Sequence, residues 1–419
     1  MKLAYCVRAI FPQHGFGGLE RAGVALMRHL LVEGVDIGLF TQPLPPGRPI
    51  VPPSDARGHL TVHPVRYGRL PLPPTRIAAR LTNYRAFVEE IGKRARLMAY
   101  KGQIQGIYAQ GMCAWGVRDA NLWGVPMVAN PQGLEEFKTP DPLKRLAYAP
   151  FRAWVKAGCR AADRVIATDA AMQDEVGTLL GLPPEKIVVI PNGVDVGEIR
   201  GMLDERVQAD LLKRWPALAS DDSVLKGISV GRMEANKGFA HLLRALAEVK
   251  ASPGEDWAWF FVGDGSLRNQ LEALSLELGM GKQIVFTGSL SDAELHNLYA
   301  LCNLFAHPTL YEGSSLVTLE AMCHALPVVA SATGGIPDKI IEGETGFLVR
   351  PGDEAQLARR ILWMAEHPQE RRQFGGRGAL LAEQRFGWRT IAAQTADLFA
   401  QLVSERAACQ PLEAAPPRC

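Results

Sequence analysis

The stretch LFAHPTLYEGSSLVTLEAMCHALPVVA, residues Leu304–Ala330, combines a short apolar run, a small polar turn, an apolar helical pattern and a second apolar run. Leu304–Ala306 and Pro327–Ala330 are predicted strands, and the turn at Gly313 separates the first of them from a helix. A strand that is followed by a helix and then by another strand is typical of a parallel βαβ unit. This stretch therefore predicts an α/β fold with a parallel sheet.

The same alternation of predicted strands and helices extends over most of the chain, in two series. One series runs from Met1 to Ile190 and the other from Leu225 to Ala330. The chain has 419 residues, which is longer than one hydrophobic core usually serves. A Pro-Asn-Gly turn at 191–193 is typical of a boundary between domains. We therefore predict two Rossmann-like, doubly wound domains, at 1–191 and 192–385, that face a central cleft.

The end of the chain is predicted to be different from both domains. Residues 386–405 contain an amphipathic helical pattern, and residues 406–419 are rich in Ala and Pro. We expect a C-terminal helix at 386–405 and a disordered tail at 406–419.

Composition and charge narrow the class of protein. Hydrophobic residues make up 47% of the chain and charged residues 21%, as in ordinary globular proteins. The net charge of +2 hides an excess of basic residues between Arg57 and Lys101. This segment contains ten lysine and arginine residues but only two acidic residues, Glu89 and Glu90. Few aromatic residues are interleaved there, so nucleic acid is not an expected partner. The patch suits anionic lipid or an acidic acceptor.

A helix is predicted next to this patch, and its apolar stripe has two interpretations. The stripe consists of residues spaced three and four apart, namely Ile77, Leu81, Tyr84, Val88, Ile91, Ala95 and Met98. It can face a membrane surface, or it can pack on the protein's own sheet with solvated arginines beside it. Both interpretations stay open at this point.

The predicted compartment is the cytoplasm. The seven cysteines include no Cys-x-x-Cys pair, as is usual for reduced proteins. Arg8 interrupts the N-terminal apolar run before a signal peptide can form, and no run of about eighteen apolar residues occurs. Cys302, His307, Cys323 and His324 have no zinc-binding spacing, so no metal site is expected.

Two carboxylates, Glu312 and Glu320, flank the turn of the opening stretch. The N–H groups of a helix N-terminus, here at Gly313–Leu316, can receive a phosphate or a sugar hydroxyl. Helical spacing places Glu320 about two turns after Glu312 and near the same face, where it can accept hydrogen bonds from a ribose diol. An acidic residue that simply favours the helix dipole, followed by an exposed glutamate, explains the pattern about equally well.

Three further loops follow predicted strands. The first carries Arg232 and Lys237, two cations that suit a pyrophosphate leaving group. A second contains Gly17 and Gly18, and a third contains Gly263. Neither glycine loop has the third glycine of the dinucleotide-binding pattern, so a dehydrogenase is disfavoured. The glycines instead allow close approach of the backbone to a ligand.

With these motifs, the chain resembles the retaining glycosyltransferases of family 4, which use nucleotide sugars and have the two-domain GT-B architecture. The most specific likeness is the E-x7-E motif, present as Glu312 and Glu320. Supporting matches are Gly17-Gly18-Leu19-Glu20-Arg21, Pro191-Asn192-Gly193-Val194-Asp195, Gly231-Arg232 with Lys237-Gly238, Val262-Gly263-Asp264-Gly265 and the stretch from Ala330 to Pro337.

The resemblance implies a role for each domain. The N-terminal domain would bind the acceptor and the C-terminal domain the nucleotide sugar, and the C-terminal helix would cross back to the first domain. The donor would be a UDP- or GDP-sugar, and the acceptor a glycan or a lipid-linked molecule. The implied reaction is hexosyl transfer in bacterial cell-surface polysaccharide or lipopolysaccharide biosynthesis. It needs no cofactor and no metal, and it takes place in the cytoplasm or at the inner face of the plasma membrane.

The resemblance also implies a role for each site residue. Arg232 and Lys237 would hold the donor diphosphate, and Glu320 would hold the ribose. Glu312 would bind the transferred sugar. The remaining donor-binding residues would be Gly17, Gly18, Gly263, Gly313, Ser314, Ser315 and Leu316.

One residue departs from the family pattern. Gln132 stands where the family has a histidine before a glycine. A glutamine can donate a hydrogen bond to the donor sugar but cannot take a proton, which fits a positioning role. Gln132 therefore leaves open a catalytically impaired glycan-binding or scaffolding protein. A separate alternative is a sugar-nucleotide epimerase of the same fold, which needs additional acid/base carboxylates in the cleft that the sequence does not identify.

Overall fold

A computed structural model describes residues 1–14, 18–68, 77–132, 134, 137, 142–221, 223–250 and 257–409. The chain divides into two compact units. One unit is Met1–Pro191 together with Trp388–Cys419, and the other is Asn192–Gly387.

The described residues of the first unit form a seven-stranded sheet with the order β3-β2-β1-β4-β5-β6-β7. Its neighbouring strands are all parallel. The strands are β1 Lys2–Cys6, β2 Asp36–Thr41, β3 Leu60–Pro64, β4 Gly106–Gln110, β5 Met127–Asn130, β6 Arg164–Ala167 and β7 Ile187–Val189. The helices are α1 Gly18–Val32, α2 Ile77–Tyr100, α3 Cys113–Gly116, α4 Pro142–Ala147, α5 Ala149–Ala161 and α6 Gln173–Leu180.

The second unit has a six-stranded sheet with the order β10-β9-β8-β11-β12-β13. Its neighbouring strands are also parallel. The strands are β8 Leu225–Val230, β9 Trp257–Val262, β10 Ile284–Gly288, β11 Leu304–His307, β12 Val328–Ser331 and β13 Gly346–Val349. The helices are α7 Val196–Gly201, α8 Glu205–Arg214, α9 Phe239–Lys250, α10 Arg268–Glu277, α11 Asp292–Leu301, α12 Leu316–Cys323, α13 Glu354–Glu366 and α14 Pro368–Phe386.

The last helix, α15 Trp388–Cys409, belongs to the first unit. Its apolar side chains, among them Trp388 and Phe399, are buried in one core with Met27 and Leu30 of α1. Arg406 Nη2 lies 2.7 Å from Asp163 Oδ1 and fixes the end of the helix. The helix continues to Cys409, four residues beyond the predicted end at 405, and Arg406 with its ion pair lies in this last stretch. Residues 410–419 of the predicted tail lie outside the described residues.

Helix α2 carries the stripe that had two interpretations. Val88, Ile91 and Ala95 are buried in the core of the first unit. The middle of the stripe therefore faces the protein interior, so it cannot insert into a membrane. Among the described helices, none is both long and apolar enough to cross a bilayer.

Candidate active site

Four loops of the second unit follow neighbouring strands of its sheet. They come after β9, β8, β11 and β12, which are adjacent in the sheet order. Because the strands are parallel, their carboxyl ends lie at one edge of the sheet, where ligands of such folds usually bind. The loops after β8 and β11 are joined by the Leu310 N–H, which donates to Asn236 O at 2.8 Å. The Gly335 N–H donates to Gly313 O at 2.8 Å and joins the loops after β12 and β11.

Lys237 and Glu312 meet in this group of loops. Lys237 Nζ lies 2.6 Å from Glu312 Oε2, and each side chain is only 16% exposed. The close approach of the two loops depends on Gly238, which has a φ of 67° and whose position leaves no room for a Cβ beside Pro308 O. The structure thus brings together two of the three residues that were predicted to be catalytic.

His307, the last residue of β11, is a further member of this cluster. Its side chain is fully buried, and Nε2 lies 3.0 Å from the same Glu312 oxygen, Oε2. Burial lowers the pKa of His307 against the opposing effect of Glu312. The imidazole is therefore neutral, and Nε2 carries its proton because an ionised carboxylate can only accept.

The carboxyl of Glu312 is held in its ionised form. Burial alone raises its pKa, but the hydrogen bond from His307 and the charge of Lys237 outweigh burial and lower the pKa to about 2. Among the described residues, the one hydrogen bond that Glu312 Oε1 accepts is long: it comes from the Gly313 N–H, with 3.3 Å between the nitrogen and the oxygen. This oxygen can therefore accept a further hydrogen bond, such as one from a sugar hydroxyl.

The turn after Glu312 leads into α12, which begins at Leu316 with Ser315 as its N-cap. Ser315 Oγ accepts a hydrogen bond from the Thr318 hydroxyl at 2.9 Å and makes no capping bond to the helix backbone. The first N–H groups of α12 are thus not capped by this side chain, and binding of an anion at this turn stays a prediction.

The predicted helical spacing of Glu312 and Glu320 is wrong in part. Only residues 316–320 of this interval are helical, because Gly313 and the two serines form a turn before the helix. Glu320 is half-buried in α12. Burial first, and then the charge of Glu320, raises the pKa of Tyr299. Contact of Glu320 with a ribose stays a prediction.

Arg232, the third residue predicted to be catalytic, has an exposed side chain. It lies in the loop after β8, whose backbone is hydrogen-bonded to the loop after β9, since the Met233 N–H donates to Asp264 O at 2.9 Å. Gly263 stands at the start of the second loop with a φ of 126°, and a Cβ there would overlap Gly231 O. The backbone at Gly263 thus lies close to the neighbouring loop, and its approach to the donor stays a prediction.

The first unit holds the remaining predicted site residues. Gly18 is the first residue of α1, while Gly17 lies outside the described residues. Gln132 follows β5 with a φ of 59°, a left-handed conformation that is uncommon for a glutamine. Its N–H donates to Asn130 Oδ1 at 3.1 Å, and Asn130 Nδ2 donates to the Tyr108 hydroxyl at 2.9 Å. This network fixes the backbone at Gln132.

Two residues of the site were missed by sequence reasoning, His307 and Lys339. His307 was weighed only as a metal ligand, although its place at the end of a strand, five residues before Glu312, was the available signal. Lys339 is fully buried, and its Nζ donates to Gly335 O at 2.9 Å and to Ser314 Oγ at 3.3 Å. Lys339 is flanked in the sequence by Ile336, Ile340 and Ile341, but the neighbouring Asp338 made a solvated position equally plausible.

Comparison with known proteins places the chain among glycosyltransferases. The model described as Glycosyltransferase Family 4 matches residues 16–198, and the model described as Glycosyl transferases group 1 matches residues 216–380. The MMP α-(1→4)-mannosyltransferase of Mycolicibacterium hassiacum is 31% identical over 269 residues. That match covers 64% of this chain and 61% of the mannosyltransferase, so the chain spans less than two thirds of that relative.

Three solved structures have the same architecture. Sucrose-phosphate synthase from Thermosynechococcus elongatus superposes with a TM-score of 0.73 at 21% identity, over 96% of this chain and 99% of that one. Anabaena HepE in complex with UDP gives 0.69 at 22% identity, over 96% and 100%. WaaG, a glycosyltransferase involved in lipopolysaccharide biosynthesis, gives 0.65 at 18% identity, over 95% and 99%.

The two parallel-sheet units and the likeness to these structures define the GT-B fold. Because the two family models together match most of both units, the chain belongs to glycosyltransferase family 4.

Proposed function

We propose that this protein is a retaining hexosyltransferase that moves a sugar from a nucleoside diphosphate sugar to a glycan or a lipid-linked acceptor. The observation that carries the proposal is the Lys237–Glu312 pair beside the turn at 313–316, at the carboxyl edge of the second sheet. Lys237 and Arg232 would bind the diphosphate, and Glu312 would accept a hydrogen bond from the sugar through Oε1.

In this mechanism the two cations stabilise the charge that develops on the leaving diphosphate. The leaving group accepts the proton of the acceptor hydroxyl on the same face of the sugar, so the anomeric configuration is retained. The protein supplies positioning and electrostatic stabilisation, and we propose that no metal is required. Transfer that continues in EDTA would support this, while loss of transfer and its recovery with a divalent cation would contradict it.

The experiment that tests the donor is a thermal-shift panel with UDP-, GDP- and ADP-sugars. A ligand that binds the folded state raises the unfolding midpoint according to its affinity and concentration. We expect a response to a UDP- or GDP-sugar, since the structurally similar Anabaena protein is described in complex with UDP. Lack of response to every sugar nucleotide would count against the proposal.

The biosynthesis of lipopolysaccharide or another cell-surface polysaccharide is the proposed context. A mannosyltransferase among the relatives and the lipopolysaccharide enzyme WaaG among similar structures support a sugar polymer or a lipid-linked glycan as the product. Mass analysis of products formed from candidate acceptors, with a donor chosen from the thermal-shift panel, tests this. Transfer only to a small soluble acceptor would contradict it.

A catalytically impaired protein is the second candidate, and Gln132 is the observation that favours it. A donor that is hydrolysed or transferred by the wild type, but not by Glu312→Ala or Lys237→Ala, would exclude it. An epimerase would instead change the configuration of the donor sugar without an acceptor.

We also propose that the protein works in the cytoplasm and associates with the inner face of the plasma membrane through charge. Lys93 and Arg96 are exposed on α2, although Glu90 neutralises part of this surface by pairing with Lys93 and Arg94. Flotation with anionic liposomes at low salt tests the association, with Lys93→Glu/Arg96→Glu as the variant. Failure of the wild type to float would remove this part of the proposal.

A further inference from the structure

A buried lysine lies beneath the turn of the candidate active site. The side chain of Lys339 is fully buried, in the segment between β12 and β13. Lysine is almost never fully buried unless its charge is compensated, because removing an ammonium group from water costs free energy. Its ammonium group contacts Gly335 O and Ser314 Oγ and lies 5.9 Å from the centre of the Phe386 ring.

The segment that carries Lys339 is held against the turn at Glu312–Ser314. Gly334 has a φ of 55°, and its position leaves no room for a Cβ beside Glu312 O. The next residue, Gly335, donates its N–H to Gly313 O and accepts from Lys339 Nζ through its own carbonyl. Lys339 is thus fixed by the same backbone that contacts the turn.

The ammonium group points to the turn itself through Ser314. Lys339 Nζ lies 3.3 Å from Ser314 Oγ, and the N-terminus of α12 begins two residues later at Leu316. A helix N-terminus favours negative charge, and a buried cation beside it adds to that effect because low dielectric strengthens the interaction. The N-terminus of α12 and the ammonium group of Lys339 therefore both favour a negative charge at the turn at 313–316.

We propose that Lys339 is a positioning residue that provides a buried positive charge for the terminal phosphate of the nucleoside diphosphate moiety of the donor. It acts through Ser314 and the turn at 313–316, without contact with the ligand. This inference rests on the proposed function, since it assigns a specificity for diphosphate over monophosphate to the same site.

The test compares binding of UDP with binding of UMP by calorimetry, or GDP with GMP if the uridine nucleotides do not bind. The variants are Lys339→Met, which removes charge and hydrogen bonds, and Lys339→Gln, which keeps a donor without charge. We expect the Kd for UMP divided by the Kd for UDP to fall about tenfold in both variants, because the diphosphate loses more affinity than the monophosphate. A general loosening of the site would weaken both ligands and leave the ratio unchanged.

Lys226 provides a matched control in the same unit. It is also buried, at 5% exposure, and its Nζ donates to the backbone carbonyl of Ser220 at 2.8 Å. It lies in β8 near the amino end of the strand, away from the carboxyl edge of the sheet. Lys226→Met should lower stability and leave the ratio of dissociation constants at the wild-type value.

The outcomes separate the inference from the proposed function. An unchanged ratio in Lys339→Met, or a ratio restored in Lys339→Gln, would overturn the role of the buried charge. If the Met variant does not fold, as judged by circular dichroism, the Gln variant alone decides. If the wild type binds no nucleoside diphosphate, the proposed function fails and the inference fails with it.

Discussion

Lys237 Nζ lies 2.6 Å from Glu312 Oε2, although the two residues are 75 positions apart in the chain. The pair forms because the loops after β8 and β11 follow adjacent strands of a parallel sheet. Glu312 thereby holds the lysine in place before a diphosphate is bound, and the hydrogen bond from His307 together with the charge of Lys237 keeps the carboxylate ionised. A preorganised site of this kind avoids reorganisation during the reaction.

The first prediction concerns the charge of Glu312. Glu312→Gln should lower kcat for sugar transfer by about 100-fold or more, because it removes both the anionic acceptor and the partner of Lys237. Glu354→Gln is a matched control, since Glu354 Oε1 also receives a histidine and a cation, His241 at 2.7 Å and Arg244 at 3.0 Å. Steady-state kinetics should show little change in that control. Equal losses in both variants would indicate a general electrostatic effect.

A second prediction assigns a positioning role to His307. His307→Leu removes the hydrogen bond to Glu312 and should raise the pKa of Glu312, which moves the acidic limb of the kcat/KM profile to higher pH. His307→Gln keeps a nitrogen donor and should retain more of the activity. The measurement is the pH profile of both variants beside the wild type. Identical acidic limbs in all three proteins would exclude the role.

The fold was predictable where strands are buried on both faces. Strands β8 and β9 lie within the predicted series from Leu225 to Ala330, and each is a run of six buried residues. Helix α14 was missed, and its glycines explain why. A Cβ at Gly375 would overlap Ala325 O, so the close approach of α14 to the end of α12 requires a residue that disfavours helices. Such a tertiary requirement cannot be read from local propensity.

The site was predictable where a residue type itself indicates chemistry. The carboxylate of Glu312 and the cation of Lys237 were found in this way, and the structure brings them together. The burial of Lys339 depends on contacts between loops, and sequence spacing gives no measure of it. Neutral His307 was missed because its role follows from Glu312, five residues later in the chain.

A third prediction follows from the pKa of Glu312, which is about 2 in the folded protein. The unfolded carboxyl binds its proton near pH 4.5, so the unfolded state holds more protons between pH 4.5 and 2. The interactions that lower this pKa, first the hydrogen bond from His307 and then the charge of Lys237, should therefore contribute stability above pH 4.5, on the order of 3 kcal/mol. This stability should be lost as the pH falls to about 2. Denaturant unfolding of the wild type and Glu312→Gln across this range measures the difference. Parallel stability curves would contradict the prediction.

A fourth prediction concerns Gly334, which contacts the backbone of the turn. Gly334→Ala should have a free energy of unfolding at least about 2 kcal/mol lower than that of Gly343→Ala. The reason is that a Cβ at position 334 would overlap Glu312 O and lie 2.7 Å from Gly313 O. Gly343 has a similar φ of 75° with no atom within 4 Å of an added Cβ, so it reports the backbone strain alone. Urea melts compare the two variants. Equal stabilities would show that the turn moves aside without cost.

The last prediction tests whether Gln132 contacts the donor. Gln132→Gly keeps the left-handed backbone, which glycine adopts without strain, and removes the amide, so stability should stay within about 1 kcal/mol of the wild type. The KM for the sugar nucleotide should rise about tenfold, since one hydrogen bond to the sugar is lost. Ala325→Gly is the control, because Ala325 has a φ of 55° and carries no polar group. Gln132→His should retain activity if the side chain only positions the sugar. An unchanged KM in Gln132→Gly would show that the glutamine makes no contact with the donor.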